Sequence, residues 1–340
     1  MRLTELRRIA LSTGVAAALL TGCGGSQPPM GAPGTMPQSP AIAEHANHGG
    51  SWMLPEAKGE DLIYASNWGH QRPLRHRGIV TVYSYATQRL VGNLKGFTLP
   101  SGLCVDKRGD VFVSDYENYR VVEYAHGAST PIAILADPGK PFSCSVDATT
   151  GDLAVTNGGV TRGETLAVYK RGTGTPKEYA DAGSISNFYF CSYDNEGNLF
   201  VNGTGGVSGN SAALAELPKN GKHFINFNFN TGPSLIPGGI MWDQRNRYLA
   251  FGVGLDGDSV DLLSKVGERV KRKGSLSLGN GYLQQYWLQP RRKILIGGWR
   301  STSTYGLGFW KYPLGGSPLS IITDGIDNPF GVTVSLAPSR

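Results

Sequence analysis

The residues best suited to chemistry in this 340-residue chain are carboxylates set close together. Asp256-Gly257-Asp258-Ser259-Val260-Asp261 places three acids within six positions, a spacing that can gather oxygen ligands around a hard cation such as calcium. The same string also makes a polar turn, and that is the expected reading; Asp256, Asp258 and Asp261 stand as the metal candidates, and no cofactor is expected. A second acidic series is Asp106, Asp147, Asp194 and Asp243, each ending a short apolar stretch. Its regular return points to turn caps, because a turn device repeats along a chain whereas an active site is built once. The six His are scattered without a pair at metal-binding spacing, and no Gly-x-Ser-x-Gly or cysteine-nucleophile context appears. No catalytic residue is therefore assigned.

Aromatics and amides form a different set. Trp68, Trp299, Arg300 and Tyr305 fall in Gly- and Ser-rich stretches, while Asn187, Tyr189, Gln284 and Gln285 stand at or near the start of apolar stretches. Brought together, these residues would make an aromatic-lined mouth with neutral amides, suited to a sugar, a peptide or a small apolar ligand. Most of the aromatics in such a set also serve to fill space between sheets; Trp68 and Trp299, in loops by their sequence context, are the expected exceptions.

The elements that must position these residues are visible as a repeat. Gly102-Leu103-Cys104-Val105-Asp106 is followed by Val111-Phe112-Val113-Ser114-Asp115. The phrase returns as Cys144-Ser145-Val146-Asp147 with Leu153-Ala154-Val155-Thr156-Asn157, and as Cys191-Ser192-Tyr193-Asp194 with Leu199-Phe200-Val201-Asn202. Weaker copies begin at Ile240 and Trp287. Each is two short apolar strands joined by a polar turn, and two further strands follow, giving four strands every 40–50 residues. That is the period of a β-propeller blade. Residues 61–99 lack the opening strand, and Phe330-Gly331-Val332-Thr333-Val334-Ser335 supplies one with nothing after it. The prediction is an all-β, six-bladed β-propeller of four antiparallel strands per blade over residues 51–340, its ring closed by the C-terminal strand. Composition agrees: Gly accounts for 48 of 340 residues, twice the usual ~7%, and charged residues for 17% against ~25%. A coiled coil or helical bundle is excluded, and 40% hydrophobic residues exclude a disordered chain.

The repeat phrase resembles the NHL-repeat propellers and their relatives, the gluconolactonase and senescence-marker-protein group. The resemblance implies the fold and leaves function open, since that fold hosts scaffolds, ligand binders, lactonases and lyases. It also implies that a lactonase of this kind would hold a divalent metal in its channel on Glu, Asn and Asp side chains. The corresponding positions here are Pro100-Ser101, Pro141-Phe142, Asn187-Phe188, Pro237-Gly238, Gln284-Gln285 and Pro329-Phe330, without a carboxylate or His among them. A non-enzymatic binding or scaffold module is the leading expectation, and a lactonase-like hydrolase or lyase is the alternative.

The N-terminus carries an address. Arg2, Arg7 and Arg8 precede a twelve-residue, mainly apolar run over residues 9–20, too short to span a bilayer but suited to a signal peptide. The run ends in Leu20-Thr21-Gly22-Cys23, which resembles the lipobox of bacterial lipoproteins, where the peptide is removed before the Cys and the thiol is acylated. Residues 1–22 are thus expected to be a signal peptide, Cys23 the lipidation site, and residues 23–50, with five Pro, a disordered tether reaching roughly 30 Å. This places the protein in a bacterial cell envelope, outer membrane, periplasm or cell surface, bound to the membrane through its lipid. Expected partners are an envelope protein, glycan or small ligand met by a monomeric propeller; nucleic acid is not expected. Loss of the signal peptide leaves 29 basic against 25 acidic residues. Lys107, Arg108, Arg245, Arg247, Arg291, Arg292 and Lys293 fall in turns that share the face opposite the aromatic mouth. The remaining cysteines, Cys104, Cys144 and Cys191, occupy opening strands and read as small hydrophobes. Of the possible pairs, Cys104 and Cys144 could face each other, whereas Cys144 and Cys191 should not.

Overall fold

The computed structural model describes residues 49–69, 78–158, 165–180, 185–205, 211–227, 236–254, 257–289 and 291–338. Its strands form six antiparallel sheets, the blades of a β-propeller. Blade 1 runs outward as Pro329–Ser335, Leu62–Asn67, Ile79–Ser84, Leu90–Leu94 and Trp52–Met53. The first and last parts of the propeller therefore share one sheet, and the short Trp52–Met53 strand adds a fifth member at its rim. Blade 2 is Pro100–Val105, Val111–Asp115, Arg120–Tyr124 and Pro131–Ala136; blade 3 is Pro141–Val146, Leu153–Asn157, Leu166–Tyr169 and Lys177–Tyr179. Blade 4 is Ile185–Tyr193, Leu199–Gly205, Ser211–Leu217 and Ile225–Asn226; blade 5 is Ile240–Asp243, Tyr248–Val253, Ser259–Val266 and Arg269–Ser277. Blade 6 is Gly281–Gln289, Ile294–Arg300, Tyr305–Lys311 and Gly315–Ile322. The innermost strands contact one another in a closed ring, Pro329–Ser335 meeting both Pro100–Val105 and Gly281–Gln289. No helix among the described residues is long and apolar enough to cross a membrane.

Blade stacking explains the sequence pattern. A strand with sheets against both faces has no solvated side, so Val111–Asp115 and Leu153–Asn157 are buried at every position instead of alternately. Hydroxyl side chains link the blades across these buried interfaces. Ser66 Oγ donates to Ser101 O (2.6 Å), Thr156 Oγ1 donates to Tyr189 O (2.7 Å), and Trp242 N donates to Ser192 Oγ (2.9 Å). Each satisfies an inner-strand backbone group that no ladder reaches.

The repeating Asp residues cap the first turn of each blade, as their recurrence predicts. Asp106 Oδ1 accepts from Arg108 N and Asp110 N, Asp194 Oδ1 from Glu196 N and Asn198 N, and Asp243 Oδ1 from Arg245 N and Asn246 N. Asp194 Oδ2 accepts a further bond from Asn198 Nδ2 at 2.8 Å. Removing the carboxylate that accepts three hydrogen bonds in this partly buried turn is expected to cost about 2 kcal/mol in Asp194→Ala, with Asp194→Asn closer to wild type. Chemical denaturation of the two variants checks the order.

The reading of three core cysteines as separate small hydrophobes is corrected for two of them. Cys104 and Cys144 form a disulfide, with Cα atoms 5.6 Å apart, while Cys191 is free and buried. The physical reason is the convergence of inner strands on the axis. Pro100–Val105 and Pro141–Val146 approach there closely enough that Gly102 has the Cα of Ser143 only 2.6 Å from the position of a Cβ. At that separation two facing Cys fall within bridging distance.

Candidate binding site

The central channel is closed at one end and open at the other. At the end where the inner strands begin, Phe330 of blade 1 lies edge-on to Phe142 of blade 3, with centroids 5.0 Å apart, and Phe142 packs on Phe190 of blade 4 at 5.4 Å. Blades 1 and 3 are not neighbours, so this contact crosses the propeller axis. Trp68 stacks on Phe330 at 4.6 Å, and Tyr189 and Tyr116 meet the edges of the same cluster at 5.2 and 6.1 Å from Phe142.

Below the aromatic cluster lies a second cross-channel tie. Gln285 of blade 6 accepts from Leu103 N of blade 2 at 2.8 Å and donates to Leu103 O at 2.9 Å. Its amide passes over Gly331 of blade 1, where a Cβ would stand 2.5 Å from Oε1. Only glycine leaves room for that crossing. Gln285→Leu removes both bonds and strands a buried donor and acceptor, with an expected cost of about 2–3 kcal/mol. A thermal melt of the purified variant reads it.

Beyond Gln285, toward the turn face, the channel widens into a cavity of about 1200 Å³. Its walls are the far halves of the inner strands, including Val105, Val146, Met241, Trp287 and Val334, with Ser145, Ser192, Tyr193 and Thr333 as polar groups. Its rim is made by first-turn residues, among them Lys107, Arg108, Asn195, Gln244, Arg245 and Arg291, all exposed. Arg108 is held by Asp106 (2.8 Å), Asp110 (2.9 Å) and Glu123 (3.3 Å), and its hydrogen bond to Asp106 raises its pKa. Burial pushes the Tyr193 phenol and the Cys191 thiol well above their ordinary ranges, so at neutral pH both are uncharged hydrogen-bonding or apolar surface, not nucleophiles. The site can enclose a ligand with apolar contacts, a few hydroxyls and a cationic rim.

The aromatic mouth expected from sequence is distributed differently. Trp68 and Tyr189 belong to the cluster that fills the channel end, and Asn187 bonds Thr204 Oγ1 at 2.9 Å in its own sheet. Gln284 Nε2 donates to Tyr282 OH at 2.8 Å, and Gln285 crosses the channel. Trp299 and Arg300 are strand residues, because Ile294–Arg300 runs further than the Gly- and Ser-rich sequence suggests, pairing with Tyr305–Lys311 through to Arg300 and Tyr305. Arg300 lies over the Tyr282 ring at 4.8 Å and Tyr305 packs on the same ring at 5.7 Å. Of the eight candidates, Gln285 alone lines the cavity. The cavity-lining residues that sequence reasoning missed are Tyr193 and Trp242 on the walls and Gln244 on the rim. The available signal was the Phe next to the start of two inner strands, at positions 142 and 330, which marks a filled end and leaves the other end open.

Of the metal candidates, Asp258 is exposed and accepts from its neighbour Ser259, while Asp261 is buried in its strand with Arg272 at 3.5 Å. Asp256 lies outside the described residues, as does Cys23. No group of three His, Cys, Asp or Glu at metal-binding distance occurs among the described residues.

Comparison with known proteins agrees with this architecture. A family model for the NHL repeat matches residues 97–124, the last strand-free stretch before blade 2 and its first three strands. No curated protein sequence matches the chain. Among solved structures, a chain in the crystal structure of a nidogen/laminin complex superposes with a TM-score of 0.61 at 14% identity, covering 82% of this chain and 99% of its own. The β-propeller domain of Myceliophteria thermophila Cps50 (Swd1) superposes with a TM-score of 0.54 at 9% identity, covering 83% and 88%. The chain is a six-bladed β-propeller whose second blade matches the NHL-repeat model.

Proposed function

We propose that this protein is a monomeric, lipid-anchored binding module of a bacterial envelope, and that it binds through the channel cavity on the turn face. The observation that carries the reading is the shape of the channel: plugged by Phe142, Phe190 and Phe330 at one end, floored by Gln285, and open across about 1200 Å³ at the other. A concave space in which apolar side chains stand among convergent polar groups is where a propeller can enclose a ligand. The anchoring part rests on the sequence of residues 1–23, an apolar run ending in a lipobox-like Leu20-Thr21-Gly22-Cys23. Stable attachment by acyl chains follows from ~0.8 kcal/mol for each buried methylene. Tethered through residues 23–50, the propeller would present its channel to envelope proteins, glycans or small ligands.

Two measurements test the two parts. Cys23→Ser is expected to move the protein from the membrane to the soluble fraction; continued membrane retention contradicts the anchor. In pull-downs from solubilised envelopes, the wild-type protein is expected to retain a partner or ligand that Val146→Trp, which places a large ring in the cavity, fails to retain. Equal capture by both contradicts the channel as the site.

A further inference from the structure

Three cations on the rim of the channel cavity have no anionic partner among the described residues. Lys107, Arg245 and Arg291 come from blades 2, 5 and 6, are exposed, and line the same space. Three arginines beside them are compensated. Arg108 sits among Asp106, Asp110 and Glu123, Arg247 is paired with Glu196, and Arg292 is paired with Asp61 at 2.8 Å. Asp106, the carboxylate in the cavity lining, holds its own turn and Arg108. The fold therefore leaves a net positive mouth above walls that carry apolar side chains among hydroxyl and amide groups.

We infer that the channel takes a small amphipathic anion, its apolar body lodged between the inner strands and its carboxylate, sulfonate or phosphate group held at the rim by Lys107, Arg245 and Arg291. The inference rests on the channel being the binding site. Cations spaced around a low-dielectric opening focus their field on its axis, which raises the local concentration of anions and orients them headgroup outward. Arg245 and Arg291 present guanidinium forks that match a carboxylate or phosphate with two parallel hydrogen bonds, and Lys107 adds a point charge. The apolar body is matched by Val105, Val146, Met241, Trp287 and Val334, and Gln285 closes the far end. A neutral ligand of the same shape would fill the walls and leave the three rim charges unanswered. A polyanion would meet the rim without using the walls.

The test compares two probes of similar ring size, the anion 8-anilinonaphthalene-1-sulfonate and the neutral N-phenyl-1-naphthylamine, on the full chain carrying Cys23→Ser to keep detergent out. The sulfonate is expected to bind at one site per chain, excited by energy transfer from Trp242 and Trp287, with affinity that falls as salt is raised. Lys107→Gln/Arg245→Gln/Arg291→Gln is expected to weaken it about tenfold or more while leaving the neutral probe unchanged. All three residues are exposed, so the variant should melt with the parent. Sulfonate affinity unchanged by the triple variant overturns the inference. Val146→Trp and, on the exposed rim, Gln244→Trp separate the levels of failure. If they abolish both probes while the triple variant leaves the sulfonate bound, the channel stands as the site and the anion preference falls. If they leave both probes bound, the channel reading and the inference fall together.

Discussion

A chain that ends at Asn328 is expected to show no cooperative thermal unfolding. The missing Pro329–Ser335 strand is buried at all seven positions and is the inner strand of blade 1, paired with Leu62–Asn67. It brings Phe330, Val332 and Val334 into the core, and burying three such side chains contributes roughly 6 kcal/mol. Its loss also opens the contacts to the inner strands of blades 2 and 6 and exposes the edge of Leu62–Asn67. Ser335, which donates to Gly109 O at 2.6 Å and contacts His126 Nδ1 at 2.6 Å, goes with it. Against a total stability of about 5–15 kcal/mol, that deficit removes the folded state. Circular dichroism melts of the truncated and full chains make the comparison. A truncated chain that melts cooperatively within a few degrees of the parent contradicts ring closure by the C-terminal strand.

Reduction of the disulfide is the second large effect. Cys104 and Cys144 are 40 residues apart, and closing a loop of that size in the unfolded chain is worth about 4 kcal/mol in the chain-entropy account. Cys104→Ala/Cys144→Ala is therefore expected to lose about 4 kcal/mol, read as a fall in melting temperature of roughly 7 °C. Thiol counting provides an independent check. Denatured Cys23→Ser protein should show one reactive thiol, Cys191, before reduction and three after. Three thiols without reductant, or a double variant as stable as the parent, contradicts the bridge.

The architecture was legible in the sequence because its determinants are local and repeated. A strand, a turn with Asp at its first position and a second strand recur at residues 102–115, 144–157 and 191–202, and the orphan strand at 329–335 identifies the closure. The Asp caps were legible for the same reason. The site was less so, because it is made by contacts between blades that no local pattern encodes. Phe142 and Phe330 lie 188 positions apart in the chain and meet across the axis, which turns the aromatic residues near the predicted mouth into a plug. Gln285 was singled out, but its bonds to Leu103 depend on glycine at position 331, a long-range coincidence. Trp299 was misplaced because Gly297 and Gly298 look like loop residues; they are paired strand residues, and a Cβ at Gly298 would stand 2.2 Å from Tyr282 O. The disulfide depends on how closely two inner strands converge, which spacing alone does not give.

A ligand held as proposed at the turn-face end of the channel lies within reach of the cavity rim and far from the plugged face. A photo-crosslinking side chain placed at Gln244, exposed on the cavity rim, and separately at Thr302, exposed on the opposite face, tests this placement in intact envelopes. The expected result is a specific adduct from position 244 that the Val146→Trp background abolishes, and none from position 302. An adduct from 302 alone, or one from 244 that persists in the filled channel, would contradict it.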